Sequence, residues 1–245
     1  MIVAGFQPRH KQVNLSQKSL SNLSWIQNHI LIELTRHGTR RYGDMRPRDV
    51  EGNLYTYHLK GLMNDKLIEK NDTHYQLTLK GLQLVSMLSL DTGKMRRQPQ
   101  ILNAIICRNE KNEYLWLRWQ REPNMNMVSF PHGMMHYGEG LSEAAARELR
   151  EKTALQGELA YRGDVYVRCL LSGVLDRHML VHLFEASNVQ NDTAAEISSQ
   201  VENFWSPLET LQPADFVPGF YEIAQLVDHA GAELVFADII VDVTG

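Results

Sequence analysis

One segment, GMMHYGEGLSEAAARELREKTALQ, carries a run of acidic residues from Gly133 to Gln156 and constrains the fold more than any other stretch. Three consecutive alanines predict a helix. Ser142 is expected to cap it, and Glu143 in the first turn suits the helix dipole. The residues predicted to face a core recur every four positions, at Leu141, Ala145 and Leu149. The segment therefore predicts an amphipathic helix with acidic residues on a second face.

The acidic residues of this helix predict a metal and phosphate site. At 100° per residue, Glu148, Glu151 and position 152 lie within one arc. Two carboxylates there can bind a hard divalent cation that also bridges phosphate oxygens. Position 152, however, is a lysine.

Lys152 changes what this site can do. Its order after Glu148 favours a helix ion pair of only about 0.2–0.5 kcal/mol, too little to exclude Mg²⁺. The larger effect is the loss of one ligand charge and the gain of a positive one. Three outcomes remain open: the ammonium replaces a metal against a phosphate oxygen, one metal supports slow turnover, or the site binds a diphosphate without cleaving it.

The segment DTGKMRRQPQ, Asp91 to Gln100, predicts a joint between two domains, because it is polar and contains Gly93 and Pro99. We expect a flexible arm at residues 1–22, a first domain at 23–92, a linker at 93–99 and a second domain at 100–245. Residues 1–97 hold 15 Lys and Arg against 8 Asp and Glu, a net charge of +7. Residues 98–245 hold 10 against 21, a net charge of −11. This division indicates either a polyanion-binding module joined to an acidic domain or merely two solvated surfaces.

The two cysteines, Cys107 and Cys169, lie in apolar, strand-like segments without metal-ligand spacing. A disulfide framework or a zinc site is therefore not expected. No apolar run approaches the roughly 18 residues of a membrane span. With 43% hydrophobic and 22% charged residues, the chain is expected to be a soluble cytoplasmic protein that does not bind membranes.

The first half predicts helix, short helix, helix, β-hairpin and helix in that order. Ser24 is expected to cap the first helix and Gly38 to end it; Asn53 and Thr78 are expected to cap two later ones. The other predicted elements are a short helix at Tyr42–Arg46, an inward stripe of Leu59, Leu62 and Met63, and strands at Leu67–Lys70 and His74–Leu77 around an Asn71-Asp72 turn.

This order, with TYHLKGLMNDKLIEK followed by YQLTLKG, resembles winged-helix transcriptional repressors between about Ser24 and Leu90. The resemblance implies that the helix from Asn53 enters the major groove of double-stranded DNA, that the hairpin reaches phosphate, and that a homodimer reads a palindrome. The implied DNA-contacting side chains are Asn53, Tyr55, Thr56, Lys60, Arg46, Arg48 and Lys70, with Arg40, Arg41 and Lys66 as further phosphate contacts. A tyrosine on this helix either reads a base or fills the domain core. The alternative is a dimerisation or protein-docking module of the same fold.

In the second half, ILNAIIC predicts a buried strand with EYLWLRW as its partner, and further strands follow in DVYVRCLL and MLVHLFEA. The segment from Gly133 resembles the Nudix box, in which Gly, five residues, Glu and seven residues precede Arg-Glu-apolar-x-Glu-Glu-x-Gly-apolar. The matching positions are Gly133, Glu139, Arg147, Glu148, Leu149, Glu151 and Leu155. Lys152 replaces the last glutamate and Ala154 the last glycine.

The Nudix resemblance covers about Gln98 to Ala230 and implies an α/β/α fold with a mixed sheet. It implies that Mg²⁺ or Mn²⁺, held by Glu148 and Glu151, assists attack of water on the diphosphate of a nucleoside-diphosphate-linked compound. Arg147 would orient the glutamates and Glu139 would support them. Either Glu148 or a later carboxylate would activate the water, and the candidates for the latter are Asp192, Glu196 and Glu202.

The whole chain is thus expected to be an α+β protein, a winged helix-turn-helix domain followed by a Nudix domain. This pairing resembles Nudix-related transcriptional regulators of NAD metabolism, although those carry the winged helix after the Nudix domain. The expected function is a ligand-responsive DNA-binding regulator whose second domain binds, and slowly hydrolyses or merely retains, a nucleoside-diphosphate-linked metabolite. The alternative is a Mg²⁺-dependent Nudix pyrophosphohydrolase whose winged helix dimerises or docks.

Overall fold

The computed structural model describes residues 23–93, 95–192 and 198–243. Contacts divide the chain into two compact units, with the boundary between Arg97 and Gln98. This boundary falls within the segment predicted as a linker, and the predicted arm at residues 1–22 lies outside the described residues. Of the described helices, none is both long and apolar enough to cross a membrane.

The N-terminal unit combines four helices with a three-stranded antiparallel sheet in the order β1-β3-β2. Its elements are α1 (Trp25–His37), β1 (Thr39–Arg41), α2 (Tyr42–Met45), α3 (Gly52–Asn64), β2 (Ile68–Asn71), β3 (His74–Leu77) and α4 (Leu79–Ser86). Its core is made by the apolar faces of α1, α3 and α4, including Ile30, Leu31, Leu34, Leu59, Leu62 and Leu84.

Local capping chemistry explains where these helices begin. Ser24 and Gln27 form the reciprocal bonds of a capping box at the start of α1, and the Thr78 hydroxyl accepts a hydrogen bond from the Gly81 amide, as the sequence predicts. The prediction for α3 was wrong, because Glu51 is the N-cap and Asn53 already lies in the first turn. The Asn53 amide instead donates to the Glu51 carboxylate at 3.5 Å.

The C-terminal unit contains eight strands and two helices among its described residues. Its elements are β4 (Gln100–Cys107), β5 (Tyr114–Trp119), β6 (Val128–Ser129), β7 (His132–Met134), α5 (Leu141–Thr153), β8 (Leu155–Leu171), β9 (Val174–Asn191), β10 (Val201–Ser206), α6 (Phe220–Ala230) and β11 (Val235–Val243). Two short 3₁₀ turns, Leu208–Thr210 and Pro213–Asp215, precede α6.

The strands form two sheets. The larger is mixed, in the order β11-β8-β9-β4-β7, with parallel pairs β11 to β8 and β4 to β9. The smaller is antiparallel, in the order β10-β5-β6. The prediction of a mixed sheet in the second domain is therefore confirmed.

The predicted pairing of ILNAIIC with EYLWLRW was wrong, because these strands, β4 and β5, belong to different sheets. In the turn between them, an isolated bridge joins Arg108 to Tyr114, and the Asn109 amide donates to the Glu113 carbonyl at 3.0 Å. β4 instead pairs over its whole length with the long strand β9, which is distant in sequence. A ladder of eight residue pairs with a distant strand therefore replaces the local hairpin.

Alternation along β4 places the two helices on opposite faces of the mixed sheet. Ile105 and Cys107 pack in the cluster that contains Ala145 and Leu149 of α5, whereas Ala104 packs in the main core beside α6. The two cysteines, Cys107 and Cys169, are buried and free. Leu141 does not join this core as predicted, because at the first position of α5 it is 38% exposed.

Candidate functional site

A glycine turn and a returning carboxylate set the start of α5. Gly138 has φ 85°, in the left-handed region that favours glycine. Gly140 is the N-cap, and its amide donates to the Glu143 carboxylate at 3.0 Å. Ser142 is therefore inside the helix and is not its cap as predicted. The helix begins two positions before the predicted start because Glu143 supplies the capping acceptor.

Arg147 joins α5 to the loop in front of it. Its Nε and Nη2 donate to the two carboxylate oxygens of Glu139, at 2.7 and 2.8 Å, and Nη2 also donates to the Met134 carbonyl at 3.2 Å. These hydrogen bonds, aided by one from the His136 amide, lower the pKa of Glu139 to about 2 and raise the pKa of Arg147. The pair therefore remains charged and fixes the loop to the helix.

Glu148 is buried beneath strand β7. Its side chain is 5% exposed, and Arg147 Nη1 donates to Oε1 at 2.5 Å. A Cβ added to Gly133 would lie 2.0 Å from Glu148 Oε2, so a larger residue at this position would displace the carboxylate. Oε2 is buried and lacks a hydrogen-bond partner among the described residues.

The other two positions of the predicted arc diverge. Glu151 is largely exposed and reaches the same guanidinium, with Oε2 at 3.5 Å from Arg147 Nη1. Lys152 makes no ion pair within 4.0 Å among the described residues; its Nζ lies 5.6 Å from the centroid of the Trp119 ring. The two glutamates thus converge on Arg147, and the lysine contacts an aromatic ring.

The sequence did not reveal the aromatic layer next to Lys152. The His132 ring lies 5.2 Å from Trp119 and 4.4 Å from Phe220, measured between centroids. Ser129 Oγ accepts from Trp119 Nε1 at 2.9 Å and lies 3.1 Å from His132 Nδ1. Burial lowers the pKa of His132 to about 4, and the Lys152 charge adds to this. The imidazole is therefore neutral near pH 7.

Two of the three carboxylates proposed to activate water are described. The Asp192 amide donates to the Ala154 carbonyl at 2.8 Å, which places this residue beside the C-terminal end of α5. Glu202 is exposed on β10 and lies opposite Arg118 in the neighbouring strand. Glu196 lies outside the described residues.

The residues present do not fit the divalent-cation site that the box implies. Within residues 23–93, 95–192 and 198–243, no three His, Cys, Asp or Glu side chains cluster so as to hold a metal ion. Glu148 has one oxygen bound to Arg147 and the other closed beneath Gly133. Glu151 is the remaining carboxylate, and a lysine stands where a third would be. Hard divalent cations need several oxygen ligands with room for their retained waters.

In the N-terminal unit, α3 exposes a different set of side chains from the one predicted. Asn53 and Lys60 are exposed, and Thr56 is partly buried, with its hydroxyl 3.0 Å from Tyr42 Oη. Tyr55 was predicted to point outward but is fully buried, because its ring packs edge-on against Tyr42 at 5.1 Å inside the core. Sequence reasoning missed Tyr57, which is 71% exposed.

The predicted phosphate-contacting side chains mostly lie at the surface. Those that are exposed are Arg41, Arg46, Arg48, Lys66 and Lys70, whereas Arg40 is partly buried. Arg40 lies 4.0 Å from Glu33, so part of its charge is compensated. The exposed basic side chains occupy β1, the segment after α2, the turn after α3 and the hairpin strand β2.

The family model of the NUDIX domain matches residues 99–227. Similar solved structures include a NUDIX hydrolase from Nitrosomonas europaea (16% identity, 56% of this chain and 93% of that one, TM-score 0.47) and a MutT protein from Bacillus halodurans (18%, 58% and 89%, 0.47). Another is the NUDIX domain of Shewanella oneidensis NrtR complexed with ADP-ribose (16%, 61% and 95%, 0.43). A search of curated proteins found no match. Because the family model matches more than half of its residues, the chain belongs to the NUDIX family.

Proposed function

We propose that this protein is a ligand-responsive DNA-binding regulator. The N-terminal unit is a winged helix that binds double-stranded DNA, and the NUDIX domain binds a nucleoside-diphosphate-linked metabolite. The observation that most favours this function is the combination of exposed polar side chains on α3, flanked by basic residues of the neighbouring segments, with a NUDIX box whose last acidic position is Lys152. The first half supplies a polyanion-binding surface, and the second retains a site that is poor in metal ligands.

The surface of α3 has the side chains that a recognition helix needs. Asn53 can make a bidentate pair with adenine, and Lys60 can donate to guanine or phosphate. Tyr57 adds an exposed aromatic ring on the same helix. Arg46 and Arg48, before α3, and Lys70, on the hairpin, supply charge for the sugar-phosphate backbone. Together they form a surface that positions the protein and reads bases.

Regulation requires that the metabolite and DNA influence each other's binding. A ligand shifts a two-state equilibrium only by its difference in affinity for the two states. We propose that the metabolite-bound NUDIX domain favours one state of the protein and that this state differs in its affinity for DNA. A homodimer would match a palindromic operator.

Salt-dependent DNA binding tests the regulator. In fluorescence anisotropy with genomic fragments, we expect log affinity to fall linearly with log salt concentration, because bound cations are released from phosphate. Arg46→Gln and Lys60→Gln should each weaken binding several-fold, whereas Lys111→Gln, an exposed lysine of the acidic unit, should not. Absent or salt-independent binding would contradict the proposal.

The second candidate is a Mg²⁺-dependent pyrophosphohydrolase. The observation in its favour is that Glu148 Oε2 has no hydrogen-bond partner among the described residues, while Gly133, Glu139 and Arg147 keep their places in the box. If it is correct, the wild type will release a nucleoside monophosphate from ADP-ribose or a related substrate when Mg²⁺ is added. Glu148→Gln should then abolish release, and turnover that survives this change would refute the assignment.

A further inference from the structure

We propose that Lys152 adapts this NUDIX box to hold the diphosphate of its ligand directly, in place of a divalent cation, so that the domain binds its ligand without cleaving it. The inference rests on the proposed function, because it assumes a ligand that contains a diphosphate. It concerns the residues of α5 and the loop in front of it.

The first support is the charge of the box. Glu139, Glu148 and Glu151 contribute three negative charges, Arg147 and Lys152 contribute two positive ones, and the charges of Glu143 and Arg150 cancel. The net charge is about −1, whereas a glutamate at position 152 would make it about −3 by the same count. A divalent cation is therefore attracted far less than in a fully acidic box, and a phosphate anion is repelled less.

The second support is that Arg147 engages all three carboxylates. It makes two hydrogen bonds to Glu139, at 2.7 and 2.8 Å, and one to Glu148 at 2.5 Å, and lies 3.5 Å from Glu151. Charge-assisted bonds of this kind are among the stronger ones in proteins. A cation binding at Glu148 would have to displace Arg147 from Oε1 or draw the buried Oε2 out of its present position.

The third support is the position of the Lys152 ammonium. Among the described residues it has no carboxylate within 4.0 Å and contacts the Trp119 ring, beside the neutral His132. A lysine carries three donors on a flexible stem. It can therefore turn from the ring to phosphate oxygens, because no carboxylate of the described residues pairs with it.

Binding of Mn²⁺ tests the inference without any nucleotide. The free Mn²⁺ signal in electron paramagnetic resonance is recorded as full-length protein is added. We expect no saturable Mn²⁺ binding by the wild type or by Lys152→Gln. Lys152→Glu should bind Mn²⁺ at least tenfold more tightly than any residual binding by the wild type. Adding Glu148→Gln to Lys152→Glu should remove this gain. Wild-type binding as tight as that of Lys152→Glu would overturn the inference. Thermal unfolding checks that each variant is folded.

Calorimetric titration with ADP-ribose and ADP, in EDTA and in Mg²⁺, separates this inference from the proposed function. We expect the wild type to bind equally in both buffers, Lys152→Gln to bind at least tenfold more weakly, and Lys111→Gln to match the wild type. Binding by the wild type only with Mg²⁺ would overturn the inference and leave the proposed function standing. No binding of either nucleotide in either buffer would overturn both.

Discussion

Ala154, the residue that ends α5, has a left-handed conformation with φ 53° and ψ 29°. The Cβ of an L-residue costs about 1–2 kcal/mol there, and glycine avoids that cost. Ala154→Gly should therefore raise the free energy of unfolding by about 1 kcal/mol and Tm by about 2–4 °C, as measured by calorimetry. Ala146→Gly, at an exposed helical position of α5, should lower stability by about 1 kcal/mol. Equal effects of the two changes would contradict this assignment.

His132 should make stability depend on pH. Its pKa is about 4 in the folded state, against about 6.5 when unfolded. Below pH 6.5 the unfolded state therefore binds a proton that the folded state does not. The stability that depends on a neutral His132 is therefore fully present above pH 6.5 and is lost as the pH falls towards 4. At pH 5 the loss is about 2 kcal/mol.

His132→Gln removes this titration and keeps a polar side chain. Urea unfolding at pH 7 and pH 5 should show a smaller loss for the variant than for the wild type. The other histidines are common to both proteins, so the difference between the two losses reports on His132. If both proteins lose the same stability, the folded-state pKa of His132 is close to its ordinary value.

At the level of residues, helical spacing alone predicted that Glu148, Glu151 and Lys152 lie within one arc of the helix. Gly133, Glu139 and Arg147 were picked out by the resemblance to the Nudix box, since Gly133 and Glu139 lie before α5 and helical spacing does not relate them to it. Trp119 and His132 could not, because strands β5 and β7 bring them to Lys152 from different sheets. Helical spacing placed Lys152 beside Glu148, whereas its ammonium group lies over the Trp119 ring.

At the level of elements, the two faces of α3 should respond differently to mutation. Tyr55 is fully buried, and its hydroxyl lacks a hydrogen-bond partner among the described residues. Tyr55→Phe should therefore be neutral or stabilising, whereas Tyr55→Ala should cost about 3–5 kcal/mol. Tyr57→Ala, on the exposed face, should change stability by less than about 0.5 kcal/mol.

DNA affinity should depend on the exposed Tyr57 and not on the hydroxyl of the buried Tyr55. Tyr57→Ala should weaken binding in fluorescence anisotropy, and Tyr55→Phe should bind as the wild type does. Chemical unfolding of each variant separates loss of contact from loss of structure. If Tyr57→Ala binds DNA normally, the exposed face of α3 does not contribute this side chain to the interface.

Local chemistry explains which elements could be predicted. Ser24 and Thr78 were identified as caps because each bonds an amide three residues later. Asn53 and Ser142 were wrong because Glu51 and Gly140 precede them at the true helix starts. The pairing of β4 could not be predicted, because each of its residues pairs with one 79 positions later in β9, as Gln100 does with Met179, and only the folded sheet brings them together.

For the whole molecule, the division of charge was visible in the sequence, and the fold divides the chain at the same place, between Arg97 and Gln98. A chain with one basic and one acidic unit suits different binding partners. Composition does not determine whether the two proposed binding events are linked. That question can be answered without knowing the operator or the natural metabolite.

Linkage makes a strict prediction for the regulator. If ADP-ribose changes the affinity for a DNA fragment by some factor, the DNA must change the affinity for ADP-ribose by the same factor. We expect this factor to exceed about fivefold, the lower end of common couplings. Anisotropy of labelled DNA with and without saturating ADP-ribose gives one value, and calorimetry of ADP-ribose with and without saturating DNA gives the other.

Lys152→Gln identifies the site responsible for this coupling. Because it removes the charge proposed to hold the diphosphate, it should weaken ADP-ribose binding and leave DNA affinity in the absence of nucleotide unchanged. The coupling should then disappear at nucleotide concentrations that saturate the wild type. A factor of one in both directions for the wild type would mean that the two units bind independently. The NUDIX domain would then not control DNA binding, and the enzyme function with a docking N-terminal unit would be favoured.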